Sequence, residues 1–312
     1  MKVGITLPES GQDASRENII QMAKEAENEG FDSLWVWERL MWPLKPQTAY
    51  PRTPDGSHPI DFQNVFDPLE TLIFVAANTR KIALGTSVID MLFHNPIVLA
   101  RRFATLDIFS KGRAICGLGI GWMKDEYQAS NIPFQDRGKR ADECIQVLKQ
   151  IWMNEVVEFD GEFYKVPASK IGPKPLQKPH PPIYLGGFHP NTFRRIVKYD
   201  TNGWLPVVGG GLPLDYIENN MKAISDTARK ANKDPEKFKS ILLTYPEIID
   251  TSSGKYEEKN QRAPMTGTID EIGNDIKRIK DFGVDHIIFS LPIGRDISKV
   301  IDISKQLSRF AK

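Results

Sequence analysis

The chain has 312 residues, of which 40% are hydrophobic and 26% charged, the composition of a globular protein. Lys and Arg number 41 against 40 Asp and Glu, so no net charge attracts nucleic acid or an anionic membrane. The chain has two cysteines, which do not form a pair with metal-ligand spacing, and only five histidines, so we do not expect a zinc site. The low cysteine content fits a reducing, cytoplasmic setting; MKVGITLPES is too short in its apolar part for a signal peptide and no apolar run is long enough to span a membrane, so we expect a soluble protein.

Short β-rich runs alternate with longer helical patterns along the whole chain. The predicted strands and following helices are 3–7 with 17–29, 33–37 with 69–78, 82–87 with 96–109, 114–120 with 137–152, 183–185 with 191–199, 203–207 with 214–230, 240–245 with 269–282, and 285–290 with 297–308. Eight such units fit a closed (β/α)₈ barrel or a doubly wound open sheet. The count of eight favours the barrel, as does the lack of a glycine fingerprint after the first strand. We predict one α/β TIM-barrel domain over residues 1–312.

Two stretches interrupt this rhythm. Residues 41–66 form a loop rich in proline and aromatic residues, long enough to serve as a lid or substrate wall. Residues 155–182 are predicted to begin as a hairpin with Asp160 and Gly161 at its turn, followed by a proline-bearing segment. Neither stretch has the composition of a linker between domains.

A barrel places its active site at the carboxyl ends of the strands. Glu9, Glu38, Arg39 and Asp90 are the charged residues predicted there. Because neighbouring strand residues point to opposite faces, only one of Glu38 and Arg39 is expected to face the pocket, and a structural salt bridge is the alternative for this pair. A buried Asp90 either gains a partner or has a raised pKa.

Glycines follow the fourth and fifth strands. Gly119 and Gly121 fit a simple turn as well as they fit ligand contact. Gly186 and Gly187 precede a predicted helix, and amides at such a turn are suited to bind phosphate, with a packing turn as the alternative. The lone His58 and His94 are predicted to have structural roles, unless the 41–66 loop folds His58 inward.

Several stretches together resemble the bacterial luciferase-like superfamily, and within it the coenzyme F420-dependent oxidoreductases. These stretches are LGTSVIDMLFHNPIVLARRFATLDIFSKGRAICGLGIGW, FQDRGKR, FDGEFY, PKPLQKPHPPIYLGG and DTNGWLP. The resemblance is strong over about residues 1–210. It implies a (β/α)₈ barrel in which the bond between Ser87 and Val88 is a non-prolyl cis peptide that supports the central ring of the cofactor.

The resemblance also implies roles for single residues. The acidic residue that contacts the ring matches Glu38, and Arg39 stands where many relatives have histidine. A guanidinium stays protonated near neutral pH and cannot act as a general base, so anion stabilisation or substrate anchoring remains for Arg39. Glu9 is then the more suitable carboxylate for proton transfer. The implied cofactor-binding residues are Glu38, Ser87, Val88, Ile89, Asp90, Gly119, Gly121, Asp125, Gly186, Gly187 and Phe188.

The resulting functional prediction is an oxidoreductase that transfers a hydride between the deazaflavin F420 and a small organic substrate. One alternative is an FMN-dependent monooxygenase that uses O₂, and another is a non-catalytic cofactor-binding barrel. The resemblance implies a homodimer. The sequence does not identify the substrate, although the 41–66 loop, the 155–182 insertion and the end of the eighth strand near Arg295 are expected to shape its site.

Overall fold

The computed structural model describes residues 1–53, 55–209, 212–249, 262–291 and 296–312. The strands in these ranges are β1 (Lys2–Thr6), β2 (Ser33–Val36), β3 (Ala83–Thr86), β4 (Ile89–Asp90), β5 (Ala114–Gly119), β6 (Val156–Asp160), β7 (Lys165–Lys170), β8 (Ile183–Leu185), β9 (Gly203–Trp204), β10 (Val207–Val208), β11 (Lys239–Thr244), β12 (Glu247–Ile248), β13 (Thr266–Gly267) and β14 (His286–Phe289). The helices are α1 (Arg16–Asn28), α2 (Pro68–Asn78), α3 (Pro96–Phe109), α4 (Lys124–Ala129), α5 (Arg137–Met153), α6 (Pro190–Lys198), α7 (Leu214–Lys230), α8 (Ile269–Asp281) and α9 (Ile297–Ala311).

Eight parallel strands close into a barrel. Their order around the ring is β1, β2, β3, β5, β8, β9, β11 and β14, and β14 pairs with β1 to complete the circle. The short strands β4 and β10 continue the third and sixth strands of the ring toward the mouth. The predicted (β/α)₈ barrel is therefore confirmed.

Local signals fix where the helices begin. The Ser15 side chain accepts a hydrogen bond from the Asn18 amide at the start of α1. A reciprocal capping box between Thr268 and Glu271 opens α8. Proline occupies the first turn of α2, α3 and α6, where it costs no hydrogen bond. In the described residues, no helix is long and apolar enough to cross a membrane.

The amino-terminal end of the barrel lumen is plugged by the indole of Trp35. Gly4 leaves room for this indole, because an added Cβ there would lie 2.6 Å from Trp35 Nε1. Trp35 Nε1 donates to Ser33 Oγ at 2.6 Å, and Ser33 Oγ lies 2.8 Å from Nε2 of His286. Burial lowers the pKa of His286 to about 3, so this ring is neutral. The packed side chains close the lumen at this end, so a site inside the barrel can open only at the opposite, carboxyl end.

Differences from the predicted elements are local. The predicted sixth strand, 203–207, is split into β9 and β10. The predicted hairpin is confirmed, with β6 and β7 antiparallel and Asp160 paired with Lys165. The strands β4, β12 and β13 and the helix α4 were not predicted, because two-residue strands and a six-residue helix carry too little periodicity to detect.

Candidate active site

The third strand is irregular where it reaches the barrel mouth. The Ser87–Val88 peptide bond is cis, as the resemblance implied. The Ser87 amide donates to the carbonyl of Val36, and the Glu38 amide donates to the carbonyl of Val88 at 3.2 Å. These bonds tie the ends of β2 and β3 together, so Glu38 and Val88 lie side by side at the mouth.

The Val88 side chain forms a small apolar shelf over the barrel lumen. It packs on the cluster that fills the lumen, which includes Leu205 and Leu243. An added Cβ at Gly119 would lie 2.6 Å from Val88 Cγ2, and one at Gly186 would lie 3.2 Å from Val88 Cγ1. The Val88 methyl groups therefore fit closely against the two glycines, where any side chain would collide with them, and Val88 stays partly exposed at the mouth, where a flat group could lie on it.

Glu38, His94 and Asp90 form a hydrogen-bonded cluster beside this shelf. His94 Nε2 lies 2.7 Å from Glu38 Oε1, and the Asp90 amide donates to Glu38 Oε2 at 2.9 Å. Burial, together with the nearby Glu38 carboxylate, raises the pKa of Asp90 to about 7. Both oxygens of Glu38 are thus fixed, while Asp90 changes its charge near neutral pH.

Arg39 does not share the cluster of its neighbour Glu38. Its guanidinium forms a buried ion pair with Glu126, with 2.7 Å between Nη1 and Oε2. It also lies 5.1 Å from the ring centroid of Phe62 and 5.3 Å from that of Trp122. The salt bridge that the sequence left open as an alternative is therefore present, and Arg39 joins the start of the 41–66 loop to α4.

Glu9 is fully buried at the end of the first barrel strand. Its Oε1 accepts from the Trp37 amide at 3.1 Å, while its Oε2 has no hydrogen-bond partner in the described chain. Burial raises the pKa of Glu9 to about 8, so the carboxyl is predominantly protonated at neutral pH. A neutral acid beside the mouth can hold a proton for exchange.

The 41–66 loop is held over the mouth by α4. The Gln47 amide donates to both oxygens of Asp125, at 3.2 and 3.1 Å, and the Leu40 amide donates to Glu126 at 3.0 Å. His58 lies inside the loop, where its Nε2 is 2.8 Å from the Thr48 carbonyl oxygen. The loop, called the lid below, is thus anchored at the barrel mouth by two adjacent carboxylates, and its role in covering the site stays a prediction.

The turn after β8 presents free amides to solvent. In the described structure the amides of Gly187, Phe188 and His189 donate no hydrogen bond, and they lie at the start of α6. Gly187 adopts a φ of +107°, which favours glycine. The Phe188 ring packs against Trp204, with ring centroids 5.7 Å apart. This turn has the donors and the helix orientation that bind phosphate.

The structure brings most of the predicted site residues together. The group around the shelf consists of Glu38, Ser87, Val88, Ile89, Asp90, Gly119, Gly121 and Gly186. The Asp125 carboxylate binds the lid, and its contact with a cofactor stays a prediction. Arg295 lies outside the described residues.

Sequence reasoning missed two functional partners at this site. His94 was given a structural role, and Glu126 was not singled out, although each is paired with a predicted site residue. Spacing along the chain could not reveal either pair, because 56 residues separate His94 from Glu38 and 87 separate Glu126 from Arg39. The one available signal was that an unpaired carboxylate or guanidinium is seldom buried.

Comparison with known proteins decides the family. The model of the luciferase-like monooxygenases matches residues 1–282. The chain belongs to the luciferase-like monooxygenase family. Two relatives are an uncharacterised protein of Mycobacterium tuberculosis, 34% identical over 68% of this chain and 74% of its own, and the F420-dependent glucose-6-phosphate dehydrogenase of Amycolatopsis mediterranei, 29% identical over 78% and 69%.

Solved structures agree with this family fold over the full length. The monooxygenase RslO1 of Streptomyces bottropensis has a TM-score of 0.79 at 21% identity, covering 99% of this chain and 98% of its own. An F420-dependent secondary alcohol dehydrogenase, solved with an F420-acetone adduct, has a TM-score of 0.78 at 19% identity, covering 100% and 99%. This luciferase-like protein is therefore an oxidoreductase that acts on a small molecule, and the non-catalytic alternative is not supported.

Proposed function

We propose that this luciferase-like enzyme transfers a hydride between the deazaflavin F420 and a small organic substrate. The Val88 shelf carries the proposal, because Gly119 and Gly186 let the Val88 methyl groups pack at the barrel mouth, where Val88 stays partly exposed directly next to the Glu38 cluster. The Amycolatopsis relative, named as F420-dependent, supports the choice of cofactor. A bound deazaflavin supplies the hydride chemistry, and the protein supplies orientation and exclusion of water.

The protein residues divide this work. Ser87, Val88 and Ile89 would support the ring system, and Glu38 would contact it through a carboxylate that His94 holds in place. The free amides of Gly187 and Phe188 would bind a phosphate group at the start of α6. Together these residues would orient the cofactor across the mouth.

Proton transfer is assigned to carboxyl groups. Glu9 is predominantly protonated near neutral pH and has one oxygen without a partner, so it would exchange a proton with the substrate. Arg39 would hold the lid through Glu126 and would stabilise negative charge at the mouth, since it cannot act as a base. Gly121 and Asp125 would shape the loop around the cofactor.

Titration of the purified protein with F420 and, separately, with FMN tests the proposal through the fluorescence of each cofactor. We expect micromolar binding of F420 and none of FMN. The variant Gly119→Ala should lose F420 binding, because its new Cβ would be placed 2.6 Å from Val88 Cγ2. Gly172→Ala is the control, since no atom lies within 4 Å of an added Cβ there.

The opposite preference would identify the FMN-dependent monooxygenase instead. Reduced FMN forms an adduct with O₂, which the carbon that replaces the nitrogen at position five of the ring disfavours in F420, so oxygen consumption separates the two enzymes. Binding of FMN with O₂-dependent turnover, and no binding of F420, would refute hydride transfer from a deazaflavin.

We also propose that the enzyme is a cytoplasmic homodimer, which the family resemblance supports. The buried free thiols of Cys116 and Cys144 fit a reducing compartment. Analytical ultracentrifugation of the purified protein tests the dimer, and a single monomeric species at micromolar concentration would exclude it.

A further inference from the structure

Arg52 reaches from the lid to the far wall of the barrel mouth. Its guanidinium carbon lies 3.7 Å from the centroid of the Tyr245 ring, which directly follows β11. On the neighbouring strand, an added Cβ at Gly209 would lie 2.8 Å from Arg52 Nη2. The guanidinium of Arg52 thus stacks on the face of the Tyr245 ring and fits beside Gly209, which has no side chain to exclude it.

The charge of Arg52 has no protein counter-ion in the part of the chain that the structure describes. None of the ion pairs there includes Arg52, whereas Arg39 at the same mouth is paired with Glu126. Burial raises the pKa of the neighbouring Tyr50, and Arg52 opposes that rise. The half-buried guanidinium lies within hydrogen-bonding reach of the Tyr50 hydroxyl, and its remaining N–H donors match a carboxylate or phosphate in geometry.

The position of Arg52 relative to the Val88 shelf indicates what it binds. In the ring of eight strands, β11 lies four places from β3 in either direction, so the two are diametrically opposed. Val88 follows β3 and Tyr245 follows β11. A flat cofactor ring on the Val88 shelf would therefore face Arg52 from the opposite side of the mouth. The space between the ring and Arg52 is where a substrate would bind.

The geometry points to Arg52 as the anchor for a small organic anion, a carboxylate or a phosphate monoester, that is the substrate. This inference rests on the proposed function, because it assigns the shelf to the cofactor. Because Arg52 is part of the lid, the lid places the anchoring guanidinium beside the substrate when the lid lies over the barrel mouth.

Calorimetry of the F420-loaded enzyme with three probes tests this inference. Benzoate and phenyl phosphate carry the two anionic groups, and benzamide is the neutral analogue of benzoate. We expect at least one anion to bind, and benzamide to bind at least tenfold more weakly. The variant Arg52→Gln should weaken anion binding about tenfold to a hundredfold, the size of a charge-assisted hydrogen bond.

Two further variants serve as controls. Arg52→Lys keeps the charge without the fork and should bind the anions with intermediate affinity. Arg80→Gln removes the same charge from an exposed residue at the other end of the barrel, just before β3, and should change nothing.

The inference is overturned if neither anion binds the F420-loaded enzyme, if benzamide binds as tightly as the tighter of the two anions, or if Arg52→Gln binds the anions like the wild type. Weaker F420 binding by Arg52→Gln, with unchanged anion binding, would assign Arg52 to the cofactor and leave the proposed function intact. If the wild type fails to bind F420, the proposed function fails, and the same probes on the cofactor-free protein decide the role of Arg52.

Discussion

His94 Nε2 lies 2.7 Å from Oε1 of Glu38, although the two residues are 56 positions apart. The contact brings the residue that follows the 3₁₀ turn Met91–Phe93 against the loop after β2. Because Asp90 donates its amide to the other carboxylate oxygen, Glu38 has one fixed position. An imidazole thus reaches the Glu38 carboxylate from the turn that follows β4.

Replacing His94 with alanine should destabilise the protein. The substitution leaves the buried Oε1 of Glu38 without its partner, which costs about 2 kcal/mol in the free energy of unfolding. His94→Gln retains a donor and should recover most of that loss. Urea unfolding of both variants measures the difference, and equal stability of His94→Ala and the wild type would show that the bond contributes nothing.

Glu9 should make stability depend on pH. In the folded protein its pKa is about 8, against an ordinary value of 4.5, so folding takes up a proton between these values. The unfolding free energy should therefore fall as pH rises from 4.5 to 8, by an amount on the order of 4 kcal/mol from this residue. Urea unfolding across that range should give a smaller decline for Glu9→Gln. An identical pH dependence in variant and wild type would contradict the raised pKa.

Asp90 should make cofactor binding depend on pH. Its pKa is about 7, so above neutral pH it adds a second negative charge beside Glu38. Binding of the anionic F420 should weaken about fivefold between pH 6 and pH 8 in the wild type. Asp90→Asn cannot ionise and should show a smaller change in the same fluorescence titration. If both proteins respond alike to pH, another group controls binding.

Removing Glu126 should loosen the lid. Glu126→Ala deprives the Leu40 amide of its acceptor and leaves Arg39 without its ion pair. Hydrogen exchange at residues 40–48 should accelerate about tenfold to a hundredfold, because local opening of the loop no longer has to break the hydrogen bond from the Leu40 amide to the Glu126 carboxylate. Glu162→Ala is the matched control, since that glutamate is exposed. Unchanged exchange in Glu126→Ala would mean that Asp125 alone anchors the lid.

The periodic pattern of the sequence predicted the barrel because each βα unit is coded locally. A short run of apolar, β-prone residues marks a strand, and apolar residues at helical spacing mark a helix. All eight pairs of a strand and its following helix were therefore located to within a few residues. The same pattern placed Glu38, Asp90, Gly119 and Gly186 at the mouth, because parallel strands end together. The cis bond before Val88 came from family resemblance rather than from any local pattern.

The sequence by itself determined the fold class, the family and the group of residues at the barrel mouth. Only the tertiary structure decided which charges pair: Glu38 with His94, Arg39 with Glu126, and no carboxylate in the described chain with Arg52. Periodicity reports which face of an element is buried, but an ion pair depends on where two distant elements meet. That meeting is fixed by barrel closure and by the path of the lid, which involve the whole chain at once.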